Sequence, residues 1–301
     1  MEIALMVEGH EGLTWPLWSK LAHTAERLGF NGLFRSDHYT APSPPDLANL
    51  ELWVSLTWLA SHTQRLWFGP LVSPVSFREP AMTARMATAV ADLSEGRLIL
   101  GLGAGWQERE HAHYGFSLLA PKPRFQRFAE ALDVIRLLFT SEEPFDFEGE
   151  FYRLHDVVLR PLPSHRIPIL IGGNGVQLTL PLVARHADVW NAVNITPADF
   201  RDLNAKLDGL LQSQGRPARS VQRTLMQDVI CALRPEEVER AAEGRDKPVD
   251  VLKARGAIVG TPDQLAPQVD AYRMAGVERL VLRWRQVEDV GSLEGLARAI
   301  L

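Results

Sequence analysis

Leu98-Ile99-Leu100-Gly101-Leu102-Gly103-Ala104-Gly105-Trp106-Gln107-Glu108-Arg109-Glu110 is the stretch whose reading decides the fold. An apolar run ends in alternating glycines, an aromatic residue follows, and a charged segment of helix-forming composition comes next. That order describes a strand, a loop that leaves its backbone open, and the first turn of a helix. Gly103 and Gly105 lack a Cβ, so they can take positive φ and leave backbone N–H groups uncovered. Such a turn suits an anion or a flat ring. It also suits a tight strand-to-helix junction with no ligand, and the spacing is not that of the dinucleotide fingerprint. The rest of the chain has to choose.

Upstream, Ile3 to Val7 is an unbroken apolar run, as expected of a strand buried on both faces. A helix beginning at Thr14 carries Leu17, Leu21, Ala25 and Leu28 on one face and stops at Gly29. Gly32 to Ser36 is a second strand, ending in Asp37-His38. Leu47 to Ser61 reads as a helix, and Leu66 to Val72 as a strand kinked by Gly69-Pro70. Pro80 to Leu93 is the next helix.

Downstream, residues 107–123 read as a short helix and loop, followed by a strong helix through Phe125, Phe128, Leu132, Ile135 and Phe139. Phe145 to Leu154 alternates about a Glu-Gly turn, which predicts an inserted hairpin acting as a lid or flap. Strand and helix then alternate again. Strands are expected at 167–171, 187–193, 224–233 and 277–284, with a polar helical stretch over 235–257 broken at Pro248. Thr261-Pro262-Asp263-Gln264 is a capping box with proline at the first helical position. Eight strands, each followed by a helix, predict a parallel sheet with right-handed crossovers. In 301 residues that favours an α/β fold, a closed (β/α)8 TIM barrel, with 1–301 as a single domain carrying the hairpin insertion.

Composition removes several functions. The net charge is −5 with no basic run, which argues against nucleic acid. No apolar segment reaches the ~20 residues needed to span a bilayer. The N-terminus runs into Glu2 and Glu8 without a basic n-region, so no signal peptide and a cytoplasmic location are expected. One cysteine, Cys231 in an apolar strand, excludes an internal disulfide and reads as a small core residue. No metal site is expected: the nine histidines form no His-Glu-x-x-His, and His111 and His113 diverge on a helix. Neither a Gly-x-Ser-x-Gly elbow nor a Gly-x-x-x-x-Gly-Lys loop is present.

In such a barrel the functional face lies at the C-terminal ends of the strands. Glu8, Asp37-His38, Ser73, Gly103 to Trp106, and Gly172 to Gly175 all fall there. Gly172-Gly173-Asn174-Gly175 opens a helix, so its N–H groups and the helix dipole form a phosphate cradle, the plainer reading being a flexible junction. Asp37-His38 reads as a helix cap with a surface histidine or, on a barrel rim, as an acid/base group. Trp106 reads as core packing or as a wall of the site.

Ser36-Asp37-His38, the Gly69–Pro80 segment, Gly101-Leu102-Gly103-Ala104-Gly105-Trp106-x-x-x-Glu110, Pro168 to Gly173, and Ala187-Asp188-x-Trp190-Asn191 occur in one order. Together they resemble the bacterial luciferase-like flavin oxidoreductases, collinearly over residues 1–195. Asp-His after strand two and Gly-Ala-Gly-Trp after strand four are most similar to the branch using the deazaflavin coenzyme F420. The resemblance implies a cofactor ring across the barrel mouth, F420 or alternatively FMN. Its phosphate would sit on Gly172, Gly173, Asn174, Gly175 and Val176, with Leu71, Ser73, Gly103, Ala104 and Gly105 about the ring. It also implies a non-proline cis peptide at a strand-three bulge, by position Pro70–Leu71.

On the same resemblance His38 is the acid/base, Asp37 orients it, and Glu8 and Trp106 shape the substrate side. Glu108 or Glu110 would bind the cofactor tail or face solvent. Trp106 replaces a glutamate of the family's sugar-phosphate dehydrogenases, and no lysine and arginine cluster is evident, so a sugar phosphate is not expected. The implied activity is hydride transfer between F420 and a small-molecule substrate such as an alcohol, aldehyde or activated alkene. The alternatives are an FMN-dependent monooxygenase served by a separate flavin reductase, and a barrel that only binds a ligand. Segments 107–123 and 145–160 are expected to line the substrate pocket. A homodimer is implied, with Trp53, Trp58 and Trp67 either core or facing the partner.

Overall fold

Alternation along the first strand sets the architecture. In β1 (Glu2–Val7), Ala4 and Met6 pack inward with Phe34, Ile99, Leu170, Val189, Met226 and Val281, while Ile3, Leu5 and Val7 pack outward against the helices. Successive strand residues face opposite sides of a sheet, and two separate apolar environments fit either an open sheet covered by helices on both faces or a sheet closed on itself. The computed structural model describes residues 1–245 and 247–301 and shows that closure.

The strands pair in parallel throughout this sheet, in the order β3 (Trp67–Pro70), β2 (Gly32–Arg35), β1, β12 (Arg279–Arg283), β10 (Gln222–Cys231), β9 (Val189–Val193), β8 (Ile169–Gly172), β5 (Leu100–Gly103), β4 (Ser73–Pro74). Phe68 of β3 bridges Leu98 just before β5, which joins the two ends. The third stave is therefore β3 and β4 in series, and the eight staves expected from the sequence are present. The cis peptide lies between Leu71 and Val72, one residue beyond the expected Pro70–Leu71.

Three other expectations need correction. A short strand, β11 (Ile258–Gly260), pairs with the outer end of β10, beyond the barrel. Helices α8 (Pro235–Glu243) and α9 (Val249–Ala254) pack there on a satellite core of Ile230, Val238, Leu252 and Val259. Helix α2 runs Leu52–His62 rather than from Leu47. The Leu50 carbonyl and the Asn49 side chain accept from buried Arg35, at 2.7 and 3.1 Å, which diverts the chain from helical pairing. The Glu51 carboxylate then caps α2 by accepting from the Val54 N–H at 2.7 Å.

The hairpin, β6 (Phe145–Glu148) and β7 (Arg153–Val157), is antiparallel as expected, but it is not a lid. The Glu130 carboxylate on α5 (Pro121–Thr140) accepts from the N–H groups of Glu150, Phe151 and Tyr152, which fastens the turn to the outer wall. Its Phe151-Tyr152 end borders residues 75–79 and 115–119.

The third stave and the chain entering β5 approach with no side chain between them. A Cβ at Gly69 would lie 1.9 Å from the Ile99 carbonyl oxygen, and one at Gly101 2.0 Å from that of Pro70. One at Gly103 would meet Val72 Cγ2 at 2.7 Å. These glycines answer to barrel closure. Gly101→Ala is expected to cost about 3 kcal/mol, whereas Gly209→Ala, in helix α7 (Pro197–Ser213) with no atom near its added Cβ, is expected to gain about 0.5–1 kcal/mol. Urea denaturation of the two variants checks the contrast.

Candidate active site

Inward-facing Met6, Leu71 and Met226 cap the packed interior and form the floor of a cavity of about 350 Å3 at the C-terminal mouth. Glu8, His38, Gly105, Trp106, Gly172, Gly173 and Arg283 contribute to its walls. One end of the barrel thus gathers the histidine and both glycine turns singled out in the sequence.

His38 is held from two sides. Its carbonyl accepts from the Asn49 side chain, and Asn49 is itself held by Arg35. Burial lowers the Arg35 guanidinium to about 10, so it stays charged at neutral pH. The His38 ring Nδ1 lies 2.9 Å from Glu110 Oε1, while Glu110 Oε2 accepts from the Tyr39 N–H at 3.0 Å. Glu110 is 1% exposed. With a carboxylate at Nδ1, that nitrogen carries the proton and donates, which leaves Nε2 for chemistry. Burial opposes charge on His38, yet the hydrogen bond and charge of Glu110 prevail and raise its pKa.

Orientation of His38 therefore falls to Glu110 rather than to Asp37. The Asp37 carboxylate is taken up by Ser73 Oγ, which donates at 2.6 Å, and by a forked contact from Arg78. Arg78 also pairs with Glu51 at 2.9 Å, so this cluster ties the ends of strands two and three to α2. Ser73 is 2% exposed and faces Asp37, not the cavity.

The signal for Glu110 was present but easily misread. Helix α4 (Glu108–Tyr114) has no aliphatic face, yet Gln107, Glu110 and His111 are buried at helical spacing. Polar residues at i, i+3 and i+4 mark a face turned toward a polar site. His111 bonds Ser76 Oγ at 2.8 Å and the Gln107 carbonyl at 2.6 Å, which fixes α4 beside Gly105. His113 is exposed, so the two histidines do diverge.

Gly105 has φ +86 and Gly173 φ +126, values that L side chains rarely adopt. The Gly173 carbonyl accepts from Trp190 Nε1 at 2.9 Å, and the Asn174 side chain makes two bonds to the Val193 backbone, at 2.8 and 2.9 Å. Asn174 is thus spent on holding the turn, and Ala104 and Gly103 pack against the barrel wall. Gly175 and Val176 are exposed ahead of helix α6 (Thr179–His186). Trp106 is 59% exposed and meets His38 edge-on at 5.7 Å between ring centroids. It is a free-standing aromatic wall, not core.

Neither residues 107–123 nor 145–160 line this cavity. Where the sequence shows no basic cluster, the fold gathers Lys247, Arg255 and Arg283 about a neighbouring cleft of about 490 Å3, with Asp199 and Asp228 interspersed. Arg283 borders both spaces, and its Nε donates to Asp228 at 2.6 Å. Trp53 is buried, whereas Trp67 is exposed on the barrel exterior.

A family model described as luciferase-like monooxygenase matches residues 8–248. The chain belongs to the luciferase-like monooxygenase family. An F420-dependent glucose-6-phosphate dehydrogenase from Intrasporangium calvum is 36% identical over 169 residues, covering 54% of this chain and only 48% of that protein. That alignment spans about half of each. An enzyme of the same description from Kineococcus radiotolerans is 28% identical over 85% of this chain and 83% of its own length. Among solved structures, an F420-dependent secondary alcohol dehydrogenase bound to an F420-acetone adduct superposes with a TM-score of 0.84 at 16% identity, covering 100% of both chains. It shares the luciferase-like fold. Among the described residues no helix is long and apolar enough to cross a membrane.

Glu110→Gln removes the charge behind His38 while leaving an oxygen for Nδ1. The pKa of His38 is expected to fall, as read by histidine NMR titration. A raised folded-state pKa stabilises fully below the unfolded value of about 6.5 and loses that contribution as pH rises through the folded value. The stability gap between wild type and variant should therefore be widest in mild acid and narrow toward alkaline pH, as measured by denaturation across pH.

Proposed function

We propose that this chain is an oxidoreductase that passes a hydride between F420 and a small organic substrate, an alcohol, aldehyde or activated alkene. One observation carries this reading: a histidine on the cavity wall, gripped at Nδ1 by a buried carboxylate, stands opposite an open glycine turn. The relatives named F420-dependent support the choice of deazaflavin.

The residues present fit such a group. Gly105, Gly172 and Gly173 leave the wall without side chains, and a Cβ at Gly172 would already touch Val72 Cγ1 at 3.2 Å. Leu71 and Val72 would brace a flat ring from below, and backbone N–H groups about Gly175 and Val176 would hold a phosphate ahead of α6. When bound, the deazaflavin supplies the hydride acceptor or donor. Everything else falls to the chain. His38 Nε2 takes the proton from a substrate hydroxyl or returns it to a carbonyl oxygen, Glu110 keeps Nδ1 protonated, and Trp106 excludes water from the substrate side. Glu8 faces the same space as a hydrogen-bonding wall. On this reading the chain works in the cytoplasm as a homodimer, which sedimentation checks.

Titration with F420 and with FMN, followed by cofactor fluorescence, tests the assignment. F420 is expected to bind tightly and FMN weakly; tight binding of FMN alone makes the chain a flavin monooxygenase that draws on a reductase. His38→Ala is expected to retain F420 binding and lose about 10²–10⁴-fold in turnover on a panel of alcohols, aldehydes and enones. Unchanged turnover removes His38 from the chemistry.

A further inference from the structure

The loop after β1 carries a buried acid on the cavity wall, Glu8, and a buried base, His10, to which the site described above gives no part. Glu8 Oε2 and His10 Nδ1 are both sealed from solvent without a hydrogen-bond partner among the described residues, and they lie 3.8 Å apart. Their side chains are 10% and 8% exposed. Buried polar atoms are nearly always partnered, so two orphans facing each other call for an explanation. Their placement is fixed: the Gly9 N–H donates to Ser36 Oγ at 3.1 Å, and a Cβ at Gly9 would strike the Arg35 guanidinium at 2.2 Å.

Glu8 lines the cavity beside His38, and the His10 ring meets the His38 ring edge-on at 5.2 Å. The next residue, Glu11, is half-buried and accepts from Arg285 at 2.8 Å. Glu8, His10 and Glu11 thus run from the cavity toward the surface. On its other side His38 faces a dead end. Glu110 is sealed, and its two oxygens are occupied by His38 and the Tyr39 N–H. A proton on His38 cannot leave or arrive through Glu110.

From this geometry we infer that Glu8 and His10 form a proton relay that recharges His38 from solvent while a cofactor fills the mouth. The inference rests on the cofactor reading above. In carbonyl reduction, bound reduced F420 would supply the hydride to the substrate carbon, and His38 Nε2 gives the proton to its oxygen. The Glu8 carboxylate, whose Oε1 also accepts from Arg283 at 3.4 Å, takes the Nδ1 proton of protonated His10 at Oε2. It hands that proton on to Nε2 of neutral His38, returning to a carboxylate, and His10 is reprotonated from water. Charge and proton count balance over the cycle. The groups facing His10 suit this direction. Burial, chiefly, and the neighbouring His38 keep His10 below its ordinary pKa against the pull of Glu8, Glu11 and Glu110, whereas Glu110 holds His38 above its own. His10 is the better donor inward. It acts through Glu8 and touches no substrate.

The test uses the full chain saturated with whichever cofactor the titration selects. A preference for FMN then overturns the deazaflavin reading and leaves this test in force. Exchange of the His38 ring proton with bulk water is followed by 15N-histidine NMR in wild type, His10→Ala and His10→Asn, with cofactor affinity and thermal melting as controls for folding. Exchange is expected to slow roughly a hundredfold in both variants, with affinity retained, and added imidazole should restore it in His10→Ala. Exchange as fast as wild type in the folded variants, or no recovery with imidazole, overturns the relay.

Discussion

Direct backbone contact between the third stave and the chain entering β5 is the constraint on which the rest of the molecule depends. Gly69 and Gly101 each face a carbonyl oxygen across the gap at a distance no Cβ could tolerate. With the two strands this close, the barrel closes at Phe68 and Leu98, and strand three then breaks at Leu71-Val72 and resumes as Ser73-Pro74 beside Leu102-Gly103. The break turns Leu71 and Val72 into the mouth, above an interior filled by Phe34, Ile99, Leu170 and Val281. A plugged barrel with a shallow opening at one end is the result, and Glu8, His38, Gly105, Trp106, Gly172 and Gly173 sit around that opening.

A second layer of constraint fixes the histidine. Buried Arg35 binds Asn49 and Leu50, and Asn49 binds the His38 backbone, so the long segment between β2 and α2 serves as a brace. Glu110 reaches His38 from a separate element. The imidazole is therefore positioned by groups from strand two, the 43–50 segment and α4. Preorganisation of this kind is what hydride and proton transfer require, because an acid/base group helps only when its proton is already at the reacting atom.

Much of this was legible in the chain itself. Unalternating runs such as Ile3 to Val7, helices stopped by Gly29 and Gly276, and the return of the same rhythm after the hairpin announce a parallel barrel. The rim then follows from where strands end. What escaped the sequence has one common cause: partners distant along the chain. Glu110 looks like a solvent-facing helix residue until α4 is packed against strand two, 72 residues earlier. Asp37 looks like the natural partner of its neighbour, yet a carboxylate adjacent in sequence points elsewhere once Arg78 and Ser73 are in reach. Residues 47–51 read as helix from their apolar content, which a tertiary demand from Arg35 overrides.

The sequence by itself determined the barrel, its eight staves and the end at which chemistry collects, because periodicity and glycine placement act through local backbone geometry. Only tertiary structure decided who holds whom. It gave His38 to Glu110, set His10 against Glu8, bound Asn174 to Val193, and moved the hairpin from the mouth to the outer wall. Each of those choices is a hydrogen bond or a steric contact between elements far apart in the chain, and such pairs leave no period for a sequence to show.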